Sequence, residues 1–193
     1  DEASRSVVAS RKDAMLRKRQ IFYFTENEEE QPMVYPGRIV EARVIAVAPK
    51  AVRLEVFGVE CSVRARDMAW EWMPDATEKF QVGDLVLVCV NKIEMPDAES
   101  MTVAVDAKGA TENTNKDNLK KCHRQGKYSG IVVDVYKGTY FIRLDLGVNA
   151  IAHECNMASL PGKRDKIGFV VTRINETSEV AEGIITRLIK KYS

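Results

Sequence analysis

Three groups of residues in this chain have types and spacings that could do chemistry. The first is aromatic and cationic. In TYFIRLDL (Thr139 to Leu146), Ile142 and Leu144 are two residues apart, as on the buried face of a strand. Phe141, Arg143 and Asp145 then face outward. An outward ring leaves apolar surface in water, and stacking on a base would explain its placement, because single-stranded nucleic acids are gripped by flat groups for bases and cations for phosphates. The alternative is that Phe141 covers the linker or a neighbouring domain.

The second group is basic. Lys116, Lys120, Lys121, Arg124 and Lys127 cluster in a short polar stretch and would draw a polyanion. A solvated linker kept soluble by its lysines is the competing reading. The third group is thiol and imidazole. Cys122-His123 and His153-x-Cys155 could supply four metal ligands, but neither pair has the usual two-to-four residue ligand spacing, so no metal site is expected. Widely spaced Cys61, Cys89, Cys122 and Cys155 read as reduced thiols and a cytoplasmic location. There is no Gly-rich phosphate loop with a following Lys, no Gly-x-Ser-x-Gly elbow and no His-Glu-x-x-His pair. The chain therefore reads as non-enzymatic, with no catalytic residue, no cofactor and no small-molecule substrate.

These groups must be positioned by a chain of 193 residues, 45% hydrophobic and 30% charged, an ordinary globular composition for one or two domains. Lys plus Arg is 29 against 28 Asp plus Glu, and the net charge of +1 excludes a uniformly basic polymer binder. The charge is unevenly spread: residues 37–108 carry −3, residues 109–125 carry +2 and residues 126–193 carry +3. Apolar runs such as Leu85 to Val90 are far short of the ~18 residues a membrane helix needs. Asp1 in place of an initiating Met reads as a fragment or a processed product.

Ser6 to Gln20 has good helix formers after Ser10, a plausible N-cap, so a short solvated helix is expected, followed by an exposed acidic linker at Glu26 and Glu28 to Glu30. From Gly37 the pattern turns to alternation. Ile39 to Val47, Val52 to Val56, Cys61 to Arg66, Leu85 to Ile93 and Met101 to Val105 read as strands, with a turn or two of helix at Met68 to Met73. Five short strands with a helix between the third and fourth suggest a small closed barrel of the OB type. Trp70 and Trp72 are expected in the core and cover of that barrel.

The same order then recurs. Gly130-Ile-Val-Val-Asp-Val135 lies over Ala42-Arg-Val-Ile-Ala-Val47, Ile142 and Leu144 over Leu54 and Val56, Gly147-Val148 over Gly58-Val59, and Val171-Thr-Arg-Ile174 over Val90-Asn-Lys-Ile93. The offset runs from 88 through 89 to 81. The expected architecture is all-β: a leader over residues 1–34 with its short helix, a five-stranded OB barrel over 35–108, a basic polar linker over 109–125 and a second such barrel over 126–193.

At these residues the chain resembles the S1 RNA-binding domain family, whose ribosomal namesake is built of tandem copies. GIVVDVYKGTYFIRL (Gly130 to Leu144) looks like the family's opening Gly-x-Val-x-x-Val, its turn and its aromatic-aliphatic strand, and LGVNAIAHECNM (Leu146 to Met157) is similar to its glycine turn and small-apolar-His stretch. The first copy fits more loosely, with Ala42 at the glycine position. VVASRKDAML (Val7 to Leu16) resembles the way such a domain ends, which implies a further copy upstream; an independent leader helix is the alternative.

The resemblance implies RNA-binding roles residue by residue. His153 stands at the family's strand histidine, beside Phe141, and Tyr136 stands near its other aromatic, next to the Lys137-Gly138 turn. Asn175 falls where the family often has Asp, Arg173 is placed to meet phosphate, and Arg187 near the same face. Glu182 replaces a family Arg and would repel the RNA backbone. In the first copy the aromatic and His positions are Arg53 and Arg64, a phosphate patch in an otherwise acidic domain. The expectation is single-stranded RNA binding, carried mainly by the second barrel and the basic linker, in translation or mRNA handling, with a ribosome or other ribonucleoprotein as partner. The alternatives are a scaffold binding ribosome or polymerase subunits, and the accessory RNA-binding region of a ribonuclease.

Overall fold

The computed structural model describes residues 10–26, 30–95, 100–153 and 159–192. Val7 to Ala9, most of the acidic run after Glu26, and Cys155 with the residues around it lie outside the described residues. No helix among the described residues is long and apolar enough to cross a membrane.

The chain divides into two compact units, 1–68 with 75–111, and 69–74 with 112–193. The first begins with α1 (Arg11–Arg19), continued by one π turn through Phe24. Ser10 caps α1 as its sequence suggests, its hydroxyl accepting from the Asp13 N–H at 3.2 Å. Five strands follow: β1 (Ile39–Ala48), β2 (Ala51–Val56), β3 (Val59–Arg64), β4 (Leu85–Glu94) and β5 (Thr102–Asp106). They hydrogen-bond in the order β3-β2-β1-β4-β5 around a core that includes Val44, Val52, Leu54, Val88 and Val90. Among the described residues no β3–β5 ladder is formed in this sheet, although β3 and β5 lie against each other as the two edges of an OB barrel would. Residues 68–73 form no helix: short 3₁₀ turns stand instead at Ala65–Asp67 and Ala76–Glu78. Pro74 disfavours helical backbone at Met73, and the segment from Ala69 to Pro74 packs with the second unit.

The second unit holds α2 (Thr114–Leu119) and strands β6 (Lys127–Tyr136), β7 (Thr139–Leu144), β8 (Asn149–His153), β9 (Lys166–Asn175) and β10 (Val180–Lys190). These close into a barrel ordered β10-β8-β7-β6-β9, with β10 parallel to β8 through Ala181–Ala150, Glu182–Ile151 and Gly183–Ala152. The core includes Ile142, Leu144, Ile167 and Phe169, together with Leu119 and Cys122. The stretch read as a linker is thus folded onto this barrel: Asn115 is buried and its side-chain oxygen accepts from the Asn149 N–H at 2.7 Å.

The repeat is visible in the irregularities as well as in the strands. The first strand of each copy bulges between Val44 and Ala46 and between Val132 and Asp134, 88 residues apart. The fourth strand slips its register between Val90 and Lys92 in one copy, and between Val171 and Arg173 in the other, 81 residues apart. A bulge re-aims the side chains beyond it, so matched bulges give both copies the same outward rows.

Asp165 ties the start of β9 to the C-terminal chain. Its two carboxylate oxygens accept from the Gly162 N–H at 2.8 Å and the Tyr192 N–H at 2.7 Å, while the residue is 1% exposed. Those two donors favour the charged form and hold its pKa below the usual aspartate range. Its contribution to stability is therefore complete above the unfolded-state value of ~3.9 and is lost as pH falls through the lower folded-state value. Asp165→Ala is expected to destabilise the protein by about 1–3 kcal/mol, because two backbone donors lose their acceptor, and to flatten this part of the acid dependence in denaturant titrations.

Candidate nucleic-acid interface

Alternation along β7 places Tyr140, Ile142 and Leu144 in the barrel interior, at 5%, 0% and 1% exposure, and turns Thr139, Phe141 and Arg143 outward. The register across β6, β7 and β8 then builds three outward rows. Tyr136, Thr139 and His153 are paired across the sheet in the first. Asp134, Phe141 and Ile151 form the second, and Ile131, Arg143 and Asn149 the third. Phe141 and His153 are therefore diagonal neighbours on one face, about 7–8 Å apart by backbone geometry, within joint reach of one or two bases.

Within this face Tyr136 is 61% exposed, and the Lys137 ammonium lies 5.4 Å from its ring centroid. Lys137 and Gly138 both take positive φ in the tight β6–β7 turn, which carries the cation back over the ring. His153 is exposed, with Nδ1 3.3 Å from the Thr139 hydroxyl. Phe141 is half-buried, because the Trp72 ring stands edge-on to it at 5.0 Å and 84°. Trp70 and Trp72 are both half-exposed in the second unit and do not form the core of the first barrel, as their sequence position suggested.

Several cations expected to meet phosphate are already occupied. Arg143 is half-buried and donates to Asn149 Oδ1 at 2.9 Å; burial pulls its pKa down, with the Glu71 carboxylate working the other way. On β9 and β10, Arg173 Nη1 stands 3.9 Å from Glu182 Oε2, and the Asn175 amide donates to Glu182 Oε1 at 3.2 Å. Glu182 does not stand as the bare repelling charge expected: it is half-buried between the two residues assigned to RNA and engages both. Arg187 lies over Gly168, on a stretch of β10 beyond the bulge at Ile185 and away from the β8 pairing, so it is not on this face.

The basic cluster is exposed, and Lys127 in it is far from the aromatic rows. Lys127 opens β6 and Tyr136 ends it, nine residues and roughly 30 Å apart along the strand. Lys120 pairs with Asp117 at 3.0 Å and Lys121 with the Asn118 side chain at 2.8 Å; Arg124 and Lys127 are exposed. A single strand would have to run the length of β6 to meet both Lys127 and the aromatic face, which is within the ~4–16 nucleotides that OB folds engage.

On the equivalent face of the first unit the two arginines are exposed and ion-paired. Arg53 pairs with Glu60 at 2.6 Å and Arg64 with Asp67 at 2.8 Å, so neither is the open phosphate patch expected. Across the β2–β3 turn lies α1, with Arg11 on Glu60 at 3.1 Å, Lys18 on Glu55 at 3.0 Å and Arg19 donating to the Gly58 carbonyl at 2.7 Å. Phe22 stacks flat on Phe57 at 4.0 Å and 15°, and the buried Tyr23 hydroxyl donates to the Val56 carbonyl. Gly58 sits at φ +94° directly under the Met15 carbonyl, where any Cβ would collide.

Comparison with known families falls on this first unit. The S1 RNA binding domain model matches residues 34–101. This stretch, about a third of the chain, is the part that is similar to the S1 family. The match indicates nucleic-acid binding, and it lies on the copy that fits the pattern more loosely. The S1 domain's strand order recurs in the second unit, with the same two bulges. Among similar solved structures is a chain of the a/eIF2alpha–aDim2p–rRNA complex from Pyrococcus horikoshii, at 15% identity and TM-score 0.36, covering 46% of this chain and 56% of that one. Another is a multidomain protein with nucleic acid binding domains from Streptococcus pneumoniae, at 11% identity and TM-score 0.30, covering 84% and 58%. Mycoplasma genitalium RNase R matches at 14% identity and TM-score 0.29, over 79% of this chain and 22% of that one. The chain thus spans little more than half the length of the first two. No curated protein sequence matches it.

Among the described residues no group of three His, Cys, Asp or Glu side chains is placed to hold a metal. Cys122 is buried in the second core, and burial pushes its thiol pKa up. Burial likewise pushes the Cys61 thiol to about 11.

Proposed function

We propose that the chain is a non-catalytic, cytoplasmic RNA-binding protein or fragment that grips single-stranded RNA on the outer β6–β8 face of its second barrel, in translation or mRNA handling. One observation carries this reading: Tyr136, Phe141 and His153 share one outward face, with Lys137 folded over its edge. Rings and an imidazole stack on any base, and few groups on this face are placed to read base edges, so the expected binding is tolerant of sequence. The S1 domain supplies the family context, while its own equivalent face is taken up by α1 and by internal ion pairs. Binding by a ribosome or another ribonucleoprotein would then run through its RNA.

Fluorescence anisotropy with a labelled single-stranded oligonucleotide at two salt concentrations tests the reading. If three or four phosphates are neutralised, affinity should fall roughly 20- to 50-fold between about 50 and 200 mM salt. An affinity that ignores salt, or no binding at all, would leave a protein-binding scaffold as the better account.

A further inference from the structure

We propose that Trp72 is a second wall of the base-binding site, forming with Phe141 a corner that receives one base. This rests on the RNA reading of the β6–β8 face and adds a residue that neither the repeat nor the S1 pattern assigns. The segment 69–74 is held to this face through the Trp70 carbonyl. Asn149 is an outward position yet 5% exposed, because its amide donates to the Trp70 carbonyl at 3.1 Å while its oxygen receives Arg143. Glu71 adds a charge that favours the Arg143 cation. Two residues beyond that anchored carbonyl, Trp72 stands edge-on to Phe141 of the second row.

The angle between the rings decides what they are free to do. In the first unit Phe22 and Phe57 lie flat on each other at 15°, so each covers a face of the other. At 84° only one ring face is met by an edge, and the remaining faces of the pair are not used by their mutual contact. Both rings are half-exposed, and His153 stands diagonal to Phe141. A base entering this corner stacks on one ring and presents its edge to the other. That is a stronger and more oriented hold than Phe141 alone would give.

The chain has two tryptophans, so W70F leaves Trp72 as the sole indole and keeps the backbone carbonyl that Asn149 bonds. Titrating this protein with oligouridine should quench Trp72 emission, with a midpoint matching the anisotropy of a labelled oligouridine. Adding W72A should weaken binding about ten-fold, and W72F should restore most of that loss. Thermal melts of both variants exclude a folding defect. Full-affinity binding with unchanged Trp72 emission, or with W72A equal to its parent, overturns the proposal and leaves the RNA reading intact. Absence of any oligouridine binding by the wild-type chain overturns both.

Discussion

Replacing Phe141 and His153 together by alanine is expected to lower affinity for single-stranded RNA by roughly 30- to 100-fold while the protein stays folded. Base–aromatic stacking is worth about 1–3 kcal/mol per base, so Phe141 alone should account for about ten-fold or more. His153 adds less, since it is exposed and held at Nδ1 by a single long contact of 3.3 Å to the Thr139 hydroxyl among the described residues. Both side chains point away from the core, which is filled instead by Tyr140, Ile142, Ala150 and Ala152 from the same two strands. A large binding loss with an unchanged melting temperature separates a direct role from a packing one.

Phe169→Ala is expected to have the largest effect on folding, destabilising the second barrel by about 3–5 kcal/mol. Phe169 is 1% exposed and lies on β9 at the centre of the core. Its ring packs under Gly183, where an added Cβ would stand 2.6 Å from the ring and would also meet the Val170 carbonyl. Gly183 is paired with Ala152, one residue before His153, at the parallel β8–β10 seam that closes the barrel. The cavity left by the ring therefore loosens the seam that fixes the strand carrying His153. Urea denaturation should show the loss, and RNA affinity should fall at temperatures where the barrel opens. Equal stability of Phe169→Ala and the parent would mean that this ring does not support the closure.

Much of the candidate face was legible because period-two alternation needs no knowledge of the rest of the fold. Ile142 and Leu144 turned Phe141 outward, and the S1 resemblance placed His153 on the neighbouring strand. What escaped is non-local or depends on register. Trp72 reaches Phe141 across 69 residues of sequence, and no local pattern signals that the segment 69–74 leaves one unit for the other. Arg187 was hard to place because β10 bulges just before it, with Thr186 the extra residue between Ile185 and Arg187, and that bulge shifts the phase of the alternation. Arg53 and Arg64 sit on β2 and at the end of β3, as the alignment indicated, but their partners Glu60 and Asp67 depend on how long side chains bend. The stretch 109–125 looked like linker because Leu119 and Cys122 are sparse apolar positions in a polar string, and only packing reveals that both are core.

The most direct test is to map amide shifts in the isotope-labelled protein as a short single-stranded RNA is added. The account predicts that the largest changes fall on Asp134 to Tyr136, Thr139 to Arg143 and Ile151 to His153, with the buried β9 positions unmoved. Changes confined to α1 and the β2–β3 turn, with this set silent, would contradict it.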